Sequence, residues 1–125
     1  MMKKLTAIRG ATICQNTAED ITKNVCDMCN KIVEQNKLKE KDIVSIFFTT
    51  TKDITALNPA TALRKGNTIF NPTNIALFCA QESEIENSSP LMIRVMVTAY
   101  KSIFVSKTNV YINGAQKLRP DLAKS

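Results

Sequence analysis

The sequence predicts an α/β (α+β) fold, a mixed β-sheet packed with one long helix and short helices. Three observations predict it. Apolar residues recur at i, i+4, i+7 and i+11 only once over a long span, as Ile21, Val25, Met28 and Ile32, which is the stripe of one amphipathic helix. Four shorter runs, Lys4–Cys14, Asp42–Thr51, Ile75–Glu82 and Leu91–Ala99, are rich in β-branched residues and too short for buried helices. Their order gives a strand–helix–strand crossover, hence parallel strands, and then a strand that loops back antiparallel. At 125 residues the chain can bury about two thirds of its unfolded surface around a single core, so one domain over 1–125 is expected.

Lys4–Cys14 reads as the first strand, with Arg9 near its middle and Gly10 where something can approach the backbone closely. Asn16 and Thr17 open the helix, 18–36. Thr17 as N-cap with Asp20 at N3 makes a capping box, and Glu19 and Asp20 sit at the positive end of the helix dipole. Cys29 and Val33 flank the apolar stripe. In Asp42–Thr51 the nearly continuous Ile43, Val44, Ile46, Phe47 and Phe48 suggest a strand covered on both faces. Asn58 to Gly66 is a short helix with an Asn cap, Pro59 at its first position and Gly just past its end, which puts Arg64 in the last turn. Ile75–Glu82 is a strand, and the polar Ser83–Pro90 segment returns the chain to Leu91–Ala99, with antiparallel pairing of the two expected. Asn109–Asn113 is a short last strand. Gly114–Leu118 turns once as helix before Arg119-Pro120-Asp121-Leu122 and a lysine-bearing tail.

Composition excludes much. The net charge of +6 is written as thirteen scattered lysines, the mark of a solvated surface and not of a nucleic-acid stripe. No apolar run reaches 18 residues and no signal-peptide core follows Met-Met-Lys-Lys-Leu, so no membrane is expected and the cytoplasm is the expected compartment. Cys14, Cys26, Cys29 and Cys79 fit a reducing compartment. Cys26-Asp27-Met28-Cys29 lies mid-helix without further ligands at comparable spacing, which reads as structural thiols and no metal site. With no histidine and three dispersed glycines, Ser-His and Cys-His nucleophile pairs, histidine bases, P-loops and dinucleotide fingerprints are all excluded.

The arginines carry the chemistry. There are four, Arg9, Arg64, Arg94 and Arg119, and a chain that writes its surface charge as lysine keeps arginine where a planar fork holds carboxylate or phosphate. Arg94 interrupts the nine residues Leu91–Ala99 and shares a strand face with Met92, Met96 and Thr98. In a buried strand its guanidinium requires a partner. Two are open: Glu82, as a core salt bridge, or a small anionic ligand.

Ile8-Arg9-Gly10-Ala11-Thr12, Pro59-Ala60 followed by Arg64, Cys79-Ala80-Gln81-Glu82, Ile93-Arg94-Val95-Met96, Val110-Tyr111 and Leu118-Arg119-Pro120-Asp121-Leu122 occur in that order. In this the chain resembles the small monofunctional chorismate mutases of the Bacillus type, over about residues 5 to 123. The resemblance implies a homotrimer, each subunit with a mixed sheet packed in a pseudo α/β barrel, and active sites in clefts between subunits. It implies the rearrangement of chorismate to prephenate on the route to phenylalanine and tyrosine, a unimolecular Claisen rearrangement that needs no nucleophile, base, metal or cofactor. By resemblance Arg94 meets the ether oxygen and a substrate carboxylate, while Arg9 and Tyr111 hold the enolpyruvyl carboxylate. Arg64 comes from the neighbouring subunit, and Arg119 closes the site. Glu82 and the backbone of Cys79 hold the ring hydroxyl, and Phe78, Ala60, Thr61 and Leu118 complete the substrate-binding set.

Two positions depart from the family pattern. Asn58 stands where a bulky aromatic is usual and Thr61 where a lysine is usual, both in the expected cleft, which implies weaker affinity. The same architecture with different chemistry, a trimeric imine or enamine hydrolase with an interfacial arginine pocket, is the alternative. It would need a positioned water, and the Glu82 and Arg94 motifs fit it poorly.

Overall fold

Five strands, β1 (Lys3–Ile13), β2 (Ile43–Thr50), β3 (Ala76–Gln81), β4 (Met92–Ser102) and β5 (Val110–Ile112), form one mixed sheet in the computed structural model, which describes residues 2–122. The order across the sheet is β3-β2-β4-β1-β5. Central β4 pairs antiparallel with β1 on one side and β2 on the other, while β2–β3 and β1–β5 are parallel. Helices α1 (Ala18–Gln35) and α2 (Pro59–Lys65) pack on one face of this sheet. The expected lysine-bearing tail lies beyond the described residues.

The long helix forms as its stripe requires. Ile21, Val25, Met28, Cys29, Ile32 and Val33 are all buried, and they meet Ile8, Ile46, Phe48, Val95 and Val97 from the sheet. Four fully buried large side chains from one helix contribute about 1.5–3 kcal/mol each by transfer from water. Thr17 Oγ1 accepts from Asp20 N at 3.1 Å, as a cap should. The reciprocal half of the capping box is absent: Thr17 N already donates to Gln15 O, so the Asp20 carboxylate accepts from Gln15 N at 2.6 Å instead. In α2, Asn58 Oδ1 accepts from Ala60 N at 2.8 Å and Gly66 ends the helix, as expected.

Two expectations fail. β3 does not pair with β4; it lies parallel to β2, with Phe47 beside Phe78, so that β2 separates the two. A tight antiparallel hairpin uses two to five connecting residues, whereas the longer Ser83–Pro90 segment crosses over β2. It is tied down there by the Lys52–Glu84 ion pair, and Asp53 Oδ1 accepts from Leu91 N at 3.1 Å. The second failure concerns coverage. In β2, Ile46 and Phe48 are buried but Val44 and Phe47 are exposed, and in β4, Ile93, Val95 and Val97 are buried while Arg94 and Met96 are exposed. Among the described residues the helix-facing side of the sheet is covered throughout, whereas on the other side Ala11 and Met92 are buried under the C-terminal segment and Phe47, Arg94 and Met96 are left open. That other side is apolar too, which is why these runs read as doubly buried.

Gly10 has a definite structural reason. A Cβ there would stand 2.9 Å from Val110 O and 2.9 Å from Val95 Cγ1, so its absence lets β5 and the core close onto β1. Three of the four free thiols, Cys14, Cys26 and Cys29, are buried and Cys79 is partly so. Burial raises the pKa of each, that of Cys14 to about 11 with added push from Asp20 and Asp53. They pack as apolar groups, which agrees with the structural reading of Cys26 and Cys29.

Candidate active site

The uncovered face of the sheet assembles the arginines by register. Arg94 on β4 lies opposite Ala11 on β1 and Thr49 on β2, and Arg9 lies opposite Met96. Cross-strand partners project from the same face, so Arg9 sits diagonally from Arg94. Tyr111 on β5 is the parallel neighbour of Ala11. Because Ala11 contributes only a methyl group, a hollow of about 390 Å³ opens above it, lined by Arg9, Phe47, Thr49, Arg94, Tyr111 and Arg119 among others.

Glu82, one residue past β3, holds Arg94. Its N–H donates to Thr50 O at 2.8 Å, extending the β2–β3 ladder, and its carboxylate Oε1 stands 2.5 Å from Arg94 Nε. This is the predicted partner in a different setting. The Arg94 side chain is 44% exposed, so the pair is not a core salt bridge but sits on the open face. Among the described residues no other carboxylate pairs with Arg94. A second hollow of about 300 Å³, bounded by Asp53, Glu82, Glu84 and Ile85, adjoins Arg94 on the side away from Arg9.

The C-terminal segment closes the other side. Asn113 and Gly114 both have positive φ, 53° and 90°, the left-handed conformation that Asn and Gly tolerate best. They turn the chain into a short 3₁₀ helix, Ala115–Leu118, whose Ala115 and Leu118 pack on Ala11 and Met92. Arg119 follows and is held in two hydrogen bonds by Asp121, at 2.8 and 3.1 Å. Those bonds raise the guanidinium pKa and lower that of the Asp121 carboxyl.

Not every expected residue joins them. Arg64, Thr61 and Ala60 lie on α2 and line neither hollow; Ala60 is buried, and Arg64 Nη2 donates to Thr61 Oγ1 at 3.3 Å. Asn58 likewise lines neither, its side-chain oxygen being taken by the α2 cap. Cys79 packs against the core. Phe78 lies on the open face, its ring 5.3 Å from that of Phe47, and Leu118, like Tyr111, packs against the small apolar cluster of Ala11, Met92 and Ala115. Met96 lines the hollow from the strand face it was expected to share with Arg94, whereas sequence reasoning missed Phe47 and Thr49. Their signal was cross-strand pairing with Met96 and Arg94, legible only once β2 is known to lie beside β4.

A cluster of guanidiniums around a hollow of this size suits a small dicarboxylate. The family profile for chorismate mutase type I matches residues 5–122. The chain belongs to the type I chorismate mutase family. Chorismate mutase AroH of Bacillus subtilis (strain 168) is 31% identical over 118 residues, covering 93% of this chain and 91% of the relative. Chorismate mutase AroH of Thermus thermophilus is 30% identical over 118 residues, with 92% and 93% covered. Among solved structures, the chorismate mutase from Clostridium thermocellum, Cth-682, superimposes with a TM-score of 0.81 at 38% identity, over 90% of this chain and 98% of that one. The activity is therefore that of a chorismate mutase, an isomerase of aromatic amino acid biosynthesis, and the hydrolase alternative falls away. The mixed α+β sheet is that of the family.

Proposed function

We propose that chorismate rearranges to prephenate on the open face of this sheet, in clefts formed where three copies of the chain close into a pseudo α/β barrel. The observation that carries the site assignment is Arg94, central on that face and oriented by Glu82 at 2.5 Å. As the ether C–O bond of the substrate breaks and a new C–C bond forms, negative charge grows on the ether oxygen. A guanidinium fixed before the reaction stabilises that charge without reorganising. Arg9 and Tyr111 hold the enolpyruvyl carboxylate and keep the substrate in the compact conformer, which removes much of the entropic barrier. Glu82 and the Cys79 backbone take the ring hydroxyl, Arg119 closes the site and Phe78 and Leu118 complete its walls; Thr61, which like Arg64 lines no hollow of its own chain, comes from the neighbouring subunit, with Ala60 buried behind it.

Trimer formation is supported by the same face. Leu5, Phe47, Phe78, Met96 and Tyr100 are exposed upon it in a single chain, a contiguous apolar surface of the kind that subunits cover. Arg64, which lines no hollow of its own chain, reaches the site of a neighbouring subunit. Four free cysteines support a reducing compartment, the cytoplasm. The test is direct: purified protein without additives should deplete chorismate absorbance and elute as a trimer by light scattering. No depletion would refute the reading of the site, and a monomer would refute the shared cleft.

A further inference from the structure

Helix α1 and its C-terminal cap bury two asparagines that the site as described leaves unused. Asn24 is 2% exposed and Asn36 0%, and an amide out of water is costly unless its donors and acceptor are bonded. Asn36 Nδ2 donates to Ile32 O and Thr108 O, both at 2.9 Å, while its Oδ1 accepts from Thr108 N at 2.8 Å. It thus takes both backbone groups of one residue, as a neighbouring strand would. Asn24 Nδ2 donates to Asp20 O at 2.9 Å, and its Oδ1 accepts from the Thr12 hydroxyl at 3.3 Å and from Asn113 Nδ2.

The two anchors grip the two ends of the segment that contains β5. Positions 24 and 36 are separated along the helix by about 18 Å, at about 1.5 Å per residue. Thr108 to Asn113, five steps of extended chain, spans about 17 Å. The lengths match, so α1 serves as a ruler along which this segment is drawn straight. Such a device is needed because β5 has three residues and lies at the sheet edge, paired only with β1; short edge strands open easily. Tyr111 lies between the anchors, and the turn at Asn113 launches the segment that carries Arg119.

We propose that Asn24 and Asn36 are positioning residues of the chorismate mutase site, acting through β5 to fix Tyr111 and, beyond the turn, Arg119. The proposal rests on the reading of Tyr111 as a ligand of the substrate carboxylate. Asn113→Gly is the cleanest probe: glycine tolerates the left-handed turn best and removes the amide that reaches Asn24. Asn36→Ala releases the other end. Loosening a carboxylate anchor should raise KM about three- to tenfold with kcat little changed, the loss expected of one hydrogen bond. The same change made in a Tyr111→Phe background should have a smaller effect, because two residues acting through one contact are not additive.

Full additivity of Asn113→Gly with Tyr111→Phe, or an unchanged KM in Asn113→Gly, would overturn the positioning role while leaving the site intact. An unchanged KM in Tyr111→Phe alone would overturn the site reading and the positioning role together. Should Asn36→Ala fail to fold, the Asn113→Gly cycle decides alone.

Discussion

Arg64 gives the account a quantitative test, since it lines neither hollow of its own chain and is proposed to act on a neighbour's. Arg64→Ala and Arg94→Ala should each be severely impaired, Arg64→Ala by about 10- to 150-fold, as expected for a lost hydrogen bond to a charged group. When the two variants are unfolded together in equal amounts and refolded, each site draws its Arg94 from one subunit and its Arg64 from the next. A site is intact when the first subunit carries Arg64→Ala and the second Arg94→Ala, each with a chance of about one half. Random assembly then restores about a quarter of wild-type activity, far above either variant alone. The assay is loss of chorismate absorbance in the mixture against each variant refolded separately. If both arginines served a site within one chain, mixing would restore nothing, and that result would refute the shared cleft.

Gly10→Ala should destabilise the protein by about 1–3 kcal/mol, the usual cost of overpacking, because the new methyl meets Val110 O and Val95 Cγ1 at 2.9 Å; denaturant melts would show it, and an unchanged midpoint would mean β5 is not closed onto β1. Stability should also fall as pH rises from 9 toward 11. The buried Cys14 thiol keeps its proton up to about 11, whereas the unfolded thiol loses it near its ordinary value of 9.0, so the native state binds more protons in that window and loses ground as pH increases. Cys14→Ser or Cys14→Ala should flatten the alkaline limb of the melting curve; an unaltered limb would assign it to other groups.

Much of the fold was legible because local chemistry and burial agreed. The α1 stripe, the Asn58 cap and Gly66 act within a few residues of themselves and hold as read, and Thr17 caps α1 as expected although Asp20 returns its hydrogen bond to Gln15 N and not to Thr17 N. What failed depended on which strands become neighbours. Nothing within 76–81 distinguishes pairing with β2 from pairing with β4; the choice is made by the length of the 83–90 connection and by the α2 crossover. Arg94 was legible as a residue requiring a partner, and Glu82 as one of two candidates. Their exposure was not, because a sheet face covered by helices and an apolar face left open show the same period in a single chain. Asn24 and Asn36 passed unnoticed for a related reason: asparagine beside an apolar stripe reads as its polar border until the backbone of Thr108 and the side chain of Asn113 are seen to meet it.

The central claim is that Arg94 stabilises charge appearing only as the ether bond breaks, and steady-state kinetics of Arg94→Lys test it most directly. Lysine keeps the positive charge but loses the planar fork that can face ether oxygen and carboxylate while Glu82 holds Nε. The account predicts a folded trimer with kcat lowered by about 100- to 1,000-fold and KM much less affected. A lysine variant with near wild-type kcat and a raised KM would contradict it, reducing Arg94 to an anion anchor.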